Sequence, residues 1–359
     1  MDFLKKPELD ISTVQIFQKC LDGYVGTPND EASIAEAKAK RVRLSEYRNA
    51  IAESAQRYDD CVPNQKFEEP TLSADLSTKE RRKELQKVYE EKFSPEKQPG
   101  RPYYDLIRRS RECGRCPICG GAGGITHLDH YLPKSAYPTL CVHPNNLIPI
   151  CDSCNTVKNA KENKLADGMP IHLYFDRLPQ KKRIRGNSYT EAYLFVNLDD
   201  DFQPEYQVKC PDGWDSKLES RLTAHMKMYD LYKRFRACVY SEYAAIISAW
   251  DSNIDEYASK LAEKMNKPLD DFIAELSADK LEQLKLEALS DVIVSNKTAA
   301  SGDLNSWKSA LYRALQNREK KLAAWLEENQ EYVQNVAMKY GEEARKQAEK
   351  LQESEVESK

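Results

Sequence analysis

Two C-x-x-C pairs, Cys116-Pro-Ile-Cys119 and Cys151-Asp-Ser-Cys154, have the spacing that most directly dictates chemistry. Each pair can set two thiolates on one side of a tight turn, and two such turns complete a tetrahedron. Zinc takes that geometry, with four sulfurs at ~2.3 Å. Gly120 follows the first pair, where backbone approaches the metal closely and a Cβ would be in the way. Four thiolates leave no coordination position open, so the zinc is predicted to be structural, tying together segments about thirty residues apart. Cys113-Gly-Arg-Cys116 also reads as C-x-x-C. The trailing glycine favours the 116/119 register and leaves Cys113 and Cys141 as free thiols.

A second set of reactive groups lies between and just after these pairs. The run Thr126-His127-Leu128-Asp129-His130-Tyr131-Leu132-Pro133-Lys134-Ser135 offers hard carboxylate oxygens for a divalent cation in Asp129. His130 adds a base that can be neutral at pH 7. Strand alternation places these two on opposite faces unless the strand ends there, and Pro133 gives it a reason to end. Asn145-Asn146-Leu147-Ile148-Pro149-Ile150 leads into the second cysteine pair. Asn155 follows it at the start of a predicted helix, so the zinc cage would fix its position and let it share a cation with Asp129.

This stretch, roughly residues 113–160, resembles the HNH endonucleases, the ββα-metal nucleases. Their pattern runs Asp/His-His, then Asn, then His, with two C-x-x-C pairs in the zinc-bearing branch. Asn146 stands five residues before Cys151 and nine before Asn155, as in the common N-L-x-x-L-C-x-x-C-H arrangement. The last position is asparagine, giving an H-N-N variant like that of the HNH domains of RNA-guided nucleases. The resemblance implies that His130 takes a proton from water and that Asp129 and Asn155 hold a catalytic Mg²⁺ or Mn²⁺. It further implies that Asn146 orients the loop bearing His130, and that Lys158, one turn into the helix, touches a backbone phosphate. An amide oxygen still ligates magnesium, whereas affinity for soft metals falls. His127 and His143 read as structural, although on a strand His127 would share a face with Asp129. The wording L-D-H-Y-L-P-K-S-x-Y-P, N-L-I-P-I-C-x-x-C-N and His172-Leu173-Tyr174-Phe175-Asp176 resembles, more narrowly, HNH proteins found beside ATPases in bacterial anti-phage systems such as the Septu type. There the last piece usually reads H-P-Y-F-D. This narrower likeness implies a nucleic-acid substrate, DNA foremost, a role in anti-phage defence, and a regulatory partner such as an ATPase. Two other readings stay open: a non-catalytic zinc-containing nucleic-acid-binding or scaffold protein, and an RNA-directed nuclease with the same site.

Composition frames the motif. Of ten cysteines, six fall between 113 and 154, and four of five histidines lie in or just after that segment. The formal charge is 54 − 58 = −4, which excludes a basic nucleic-acid-coating protein; contact with nucleic acid needs a local patch. No apolar run approaches the ~20 residues that span a bilayer, and the N-terminus lacks a signal-peptide core. A cytoplasmic chain is therefore expected, with its clustered cysteines serving a metal rather than disulfides. Two basic stretches flank the motif. One holds Arg101, Arg108, Arg109, Arg111 and Arg115 against Asp105 and Glu112. The other holds Arg177, Lys181, Lys182, Arg183 and Arg185 with no acid. Taken alone each could be a solvated face; beside a nuclease motif they are candidates for phosphate contact, without base readout.

The elements that would position these groups are mostly helical. Helices are predicted over Ile11–Leu21 with Asp10 or Ser12 as cap, over Glu31–Tyr58, over Ser77–Phe93 from a Ser77/Glu80 box, and over Tyr103–Arg111 after the connector Ser94–Gly100. Residues 189–210 alternate like strands around Asp199-Asp200-Asp201. Helical periodicity returns from about Asp215, with Asp303 as a cap and Leu304 to Leu326 at three-or-four spacing; the polar tail from Gly341 is expected to fray. Trp307, Tyr312 and Trp325 are either partner anchors or core aromatics. The expected fold is mainly α, with a small ββα-metal (HNH) core stapled by a four-cysteine zinc site and a short β segment after it. The expected segments are 1–98 (helical), 99–180 (nuclease core), 181–213 (β-rich) and 214–359 (helical). A core so small can dispense with a large apolar interior if zinc supplies part of its folding energy.

Overall fold

Ser12 begins the first helix, α1 (Thr13–Asp22). Its hydroxyl accepts the Gln15 N–H while the Gln15 side chain accepts the Ser12 N–H, a reciprocal capping box. The computed structural model describes residues 3–66, 78–110, 114–121, 124–160, 168–182, 188–300 and 303–357, in two compact units, Met1–Leu178 and Pro179–Lys359.

In the first unit the helix expected over 31–58 is divided into α2 (Glu31–Ser45) and α3 (Arg48–Cys61). Leu44, Tyr47 and Ile51 enter one core; their i, i+3, i+7 spacing keeps them on one face across the break at Glu46–Tyr47. α4 (Lys79–Val88) starts at Thr78, whose hydroxyl accepts the Arg81 N–H; Ser77 lies outside the described residues. α4 runs into a π-helical turn, Tyr89–Phe93, and α5 (Arg101–Arg108) follows the expected connector. These helices bury Ile16, Phe17, Leu85, Phe93 and Ile107 together with Leu128, Val142 and Leu147 from the cysteine-rich segment. That segment thus borrows a hydrophobic bed it could not build from its own residues.

On this bed lie β1 (His127–His130) and β2 (Leu147–Ile150), antiparallel, with His127 opposite Ile150 and His130 opposite Leu147. β2 leads directly into α6 (Asp152–Ala160).

The second unit opens with the hairpin β3 (Leu194–Leu198) and β4 (Pro204–Val208), where the alternation is found, with Leu194, Val196, Pro204 and Tyr206 facing in. Helices α7 (Ser216–Met228), α8 (Leu231–Lys264), α9 (Leu269–Glu275), α10 (Ala278–Ala300), α11 (Trp307–Leu315) and α12 (Glu319–Glu357) complete it. The cap of α11 is Ser306, not Asp303. Its hydroxyl accepts the Ser309 N–H, while Asp303 receives the Asn305 N–H. The leucine periodicity is interrupted between α11 and α12, where Asn317 takes φ 64°. The tail stays helical to Glu357 rather than fraying, consistent with its alanine, glutamate, lysine and glutamine content. Tyr312 and Trp325 are core residues: Tyr312 donates to buried Glu242 at 2.5 Å, and Trp325 packs on Phe202 and Tyr243. The chain is mainly helical; among the described residues its strands form two small two-stranded sheets, and no helix is long and apolar enough to cross a membrane.

Candidate functional site

The four cysteines of the two C-x-x-C pairs converge. Cys116 and Cys119 sit on a turn closed by the Gly120 N–H on the Cys116 carbonyl (2.9 Å), with Gly120 at φ 65°, a backbone conformation that favours glycine. An Arg115–Gly124 bridge closes the loop behind them. Cys151 ends the approach of β2, and Cys154 lies in the first turn of α6. The four Sγ atoms lie within 4.8 Å of one another, and none is in a disulfide. A tetrahedral zinc with ~2.3 Å bonds needs sulfurs about 3.8 Å apart. The Gly121 and Cys151 N–H groups point at Cys119 and Cys116 sulfurs at 3.4 Å, as suits thiolates. Hydrogen bonds from Cys116, Cys151 and Cys154 hold the Cys119 thiol far below its ordinary pKa. Soft donors at this spacing can hold a metal such as zinc. Cys141, by contrast, is a lone buried thiol on the Leu85 carbonyl (3.4 Å), pushed up to about 12 by burial. Cys113 lies outside the described residues.

β1 carries Asp129 and His130 inward, and both are buried. Asp129 Oδ2 accepts from Lys158 Nζ at 2.6 Å, and the same ammonium donates to the His130 carbonyl at 2.7 Å. Lys158 was expected to reach out to a phosphate; it is instead buried against β1. Its stem begins in the second turn of α6, and its charge reaches a carboxylate too deep to be solvated alone. The His130 ring meets the edge of Tyr89, with centroids 4.6 Å apart, and its Nε2 lies 2.9 Å from the Cys141 carbonyl. A carbonyl only accepts, so Nε2 carries the proton and Nδ1 the lone pair. Burial lowers the His130 pKa to about 3, leaving the ring neutral.

Asn146 holds the loop beyond His130. Fully buried, it accepts the Leu132 N–H at 2.7 Å and donates to the Leu132 and Leu140 carbonyls at 3.1 and 3.3 Å, while its own carbonyl takes the Tyr131 N–H at 2.8 Å. One residue therefore clamps both ends of that loop. Asn155 stands directly after Cys154 and is half-buried, with its N–H on the Cys151 carbonyl. His127 pairs with Asp152 at 3.1 Å.

Several supporting residues had no signal in the sequence. From α3, Tyr58 donates to the Asn145 carbonyl (3.1 Å) and meets His172 Nε2 (2.9 Å). Its neighbour Asp59 takes the Asn145 amide (2.6 Å) and faces His143 Nε2 (3.3 Å), while His143 Nδ1 reaches Thr13 (2.8 Å). Tyr174 donates to the Leu147 carbonyl at 2.8 Å and Tyr131 to the Pro170 carbonyl at 2.8 Å. The His172–Asp176 segment thus braces β2. Only its wording stood out in the sequence, and no spacing rule connects it to α3. Of the basic candidates, Arg108 is bonded to Asp105 at 3.1 Å and Arg109 caps the end of α5. Lys181 and Lys182 are exposed in the second unit, Lys181 paired with Glu191 at 2.7 Å. Arg111 and Arg183 lie outside the described residues.

The chain is 25% identical over 240 residues to Protein ea31 of Escherichia phage lambda, covering 66% of this chain and 72% of that protein. It is 32% identical over 69 residues to the Septu protein PtuB of Bacillus thuringiensis, covering 18% of this chain and 27% of that protein. No protein-family profile matches the chain, and no solved structure matches it.

Proposed function

We propose that the first unit is a metal-dependent endonuclease of the HNH kind that hydrolyses phosphodiester bonds, in DNA foremost, as an effector of bacterial anti-phage defence. The observation that carries this reading is the adjacency of Asp129 and His130 at the end of β1, with His130 neutral and fixed through Nε2. The order β1, β2, α6, stapled by the cysteine cluster, and the partial likeness to a Septu protein support it.

In this reading His130 Nδ1 accepts a proton from water as the water oxygen attacks phosphorus and the 3′ oxygen departs. A neighbouring phosphodiester anion favours the imidazolium that forms, lifting His130 from its low resting pKa. Asp129 and Asn155 would hold Mg²⁺ or Mn²⁺, which neutralises charge on the phosphate and the leaving oxygen. Asn146 holds the loop that carries the chain away from the base.

A supercoiled-plasmid nicking assay with a panel of divalent cations tests the proposal. His130→Ala is expected to keep its zinc and fold and to lose cleavage; a variant that cuts like the parent sinks the assignment. Asn155 in the last motif position and Lys158 on Asp129 favour a second reading, a non-catalytic zinc-containing nucleic-acid-binding or scaffold protein. Failure to cleave with any metal, alone or with a partner, would favour it. Replacing the plasmid with RNA separates an RNA-directed nuclease. A free nuclease endangers its host, so restraint by a regulatory partner such as an ATPase belongs to the proposal, and robust unregulated cutting by the isolated chain counts against that part.

A further inference from the structure

α4 has two faces. Leu85 and Val88 are fully buried, and the Leu85 carbonyl accepts from the Cys141 thiol. In the next turn Tyr89 meets the His130 ring. The other face carries Lys79, Arg82, Lys83 and Gln86, which with Ser135 line an open pocket of about 450 Å³. Positions 79, 82, 83 and 86 follow i, i+3, i+4, i+7, one stripe along the helix. None of its described lining residues is acidic. Glu84, on the same helix, is held by Arg43 of α2 at 3.0 Å. Ser135 belongs to the loop that leaves His130, and in that loop Lys134 engages Glu90 at 2.6 Å.

Three cations on a helix, with a hydroxyl from the adjoining loop, suit phosphate oxygens. From Lys79 to Gln86 the helix rises ~10 Å, about three steps of a nucleic-acid strand at ~3.4 Å. Lys83 lies only ~9 Å of helix rise from Tyr89, which touches the candidate base. We propose that this stripe binds the phosphodiester backbone of the DNA and lays it across the His130 site. The ligand's identity rests on the nuclease reading; the stripe's place rests on the pocket.

The test is binding of a fluorescein-labelled DNA duplex of about 30 base pairs to the full-length protein, followed by anisotropy without added Mg²⁺ or Mn²⁺ across ~50–200 mM salt. The double variant Lys79→Gln/Lys83→Gln should bind roughly tenfold more weakly and lower the slope of log K against log salt by about 2, at ~0.9 per lost phosphate contact. Its zinc content and melting midpoint should match the parent. Lys260→Gln/Lys264→Gln, two exposed lysines outside both basic stretches, makes the same charge change in the second unit and serves as control. An intact affinity and slope in the α4 variant, or an equal loss in both variants, overturns the stripe and leaves the nuclease reading standing. A parent that does not bind duplex DNA overturns the stripe and leaves the nuclease reading to the nicking assay, whereas a parent that binds through the stripe but never cuts overturns only the nuclease.

Discussion

Asn146 shows how much of the site rests on a single side chain. Its amide satisfies the Leu132 N–H and two carbonyls in a place sealed from water. Asn146→Ala strands all three and is expected to cost about 2–4 kcal/mol in urea unfolding, with the m-value unchanged; a loss below ~0.5 kcal/mol would contradict the clamp. Lys158 makes a sharper case. Lys158→Met leaves Asp129 buried without its ammonium and should destabilise the fold by about 3–5 kcal/mol. If Asp129 is a cation ligand, Mn²⁺ should raise the melting temperature of Lys158→Met more than that of the parent, where it must compete with the ammonium for the carboxylate. An equal rise in both proteins removes Asp129 as a cation site.

At the scale of elements, the cysteine pairs were the most legible part of the chain, because a metal imposes its spacing on sequence. The start of α1 was visible because Ser12 caps it, whereas the caps of α4 and α11 are Thr78 and Ser306 rather than the expected Ser77 and Asp303. The break between α2 and α3 was not visible, because Leu44, Tyr47 and Ile51 keep helical spacing across it and face one core. The contact of α3 with the site was equally hidden, since Tyr58 and Asp59 read as ordinary positions on a charged helix. Their role carries a pH signature. Burial raises the Asp59 carboxyl, but hydrogen bonds from His143 and Asn145 outweigh it and hold the group below its usual value. A carboxyl held down in the folded state stabilises the fold above about pH 4, and that contribution is lost as pH falls through the folded value. Urea midpoints between about pH 5 and 3 should therefore fall less steeply for Asp59→Asn than for the parent. Parallel slopes would mean that this contact carries no stability.

Over the whole molecule, charge and candidate metal ligands divide unevenly. The first unit holds 27 basic against 26 acidic residues and the second 27 against 32, so the net −4 belongs to the second. All four clustered cysteines lie in the first unit. Calorimetry should show two transitions, of which a zinc chelator lowers one and leaves the other in place. A chelator that moves both transitions, or neither, would contradict a metal confined to one unit. Colorimetric release should yield one zinc per chain.

The α3 brace has a further consequence, in time. Tyr58 and its partner His172 are 114 residues apart. A ribosome adding ~5–20 residues per second needs about 6 to 23 s to travel from one to the other. Throughout that interval Asp129, His130 and the cysteine pairs emerge without the segment that braces β2. A nascent chain thus passes Asp129, His130 and the cysteine pairs through the exit tunnel before the brace on β2 exists, and the site closes only after all of these residues have been made.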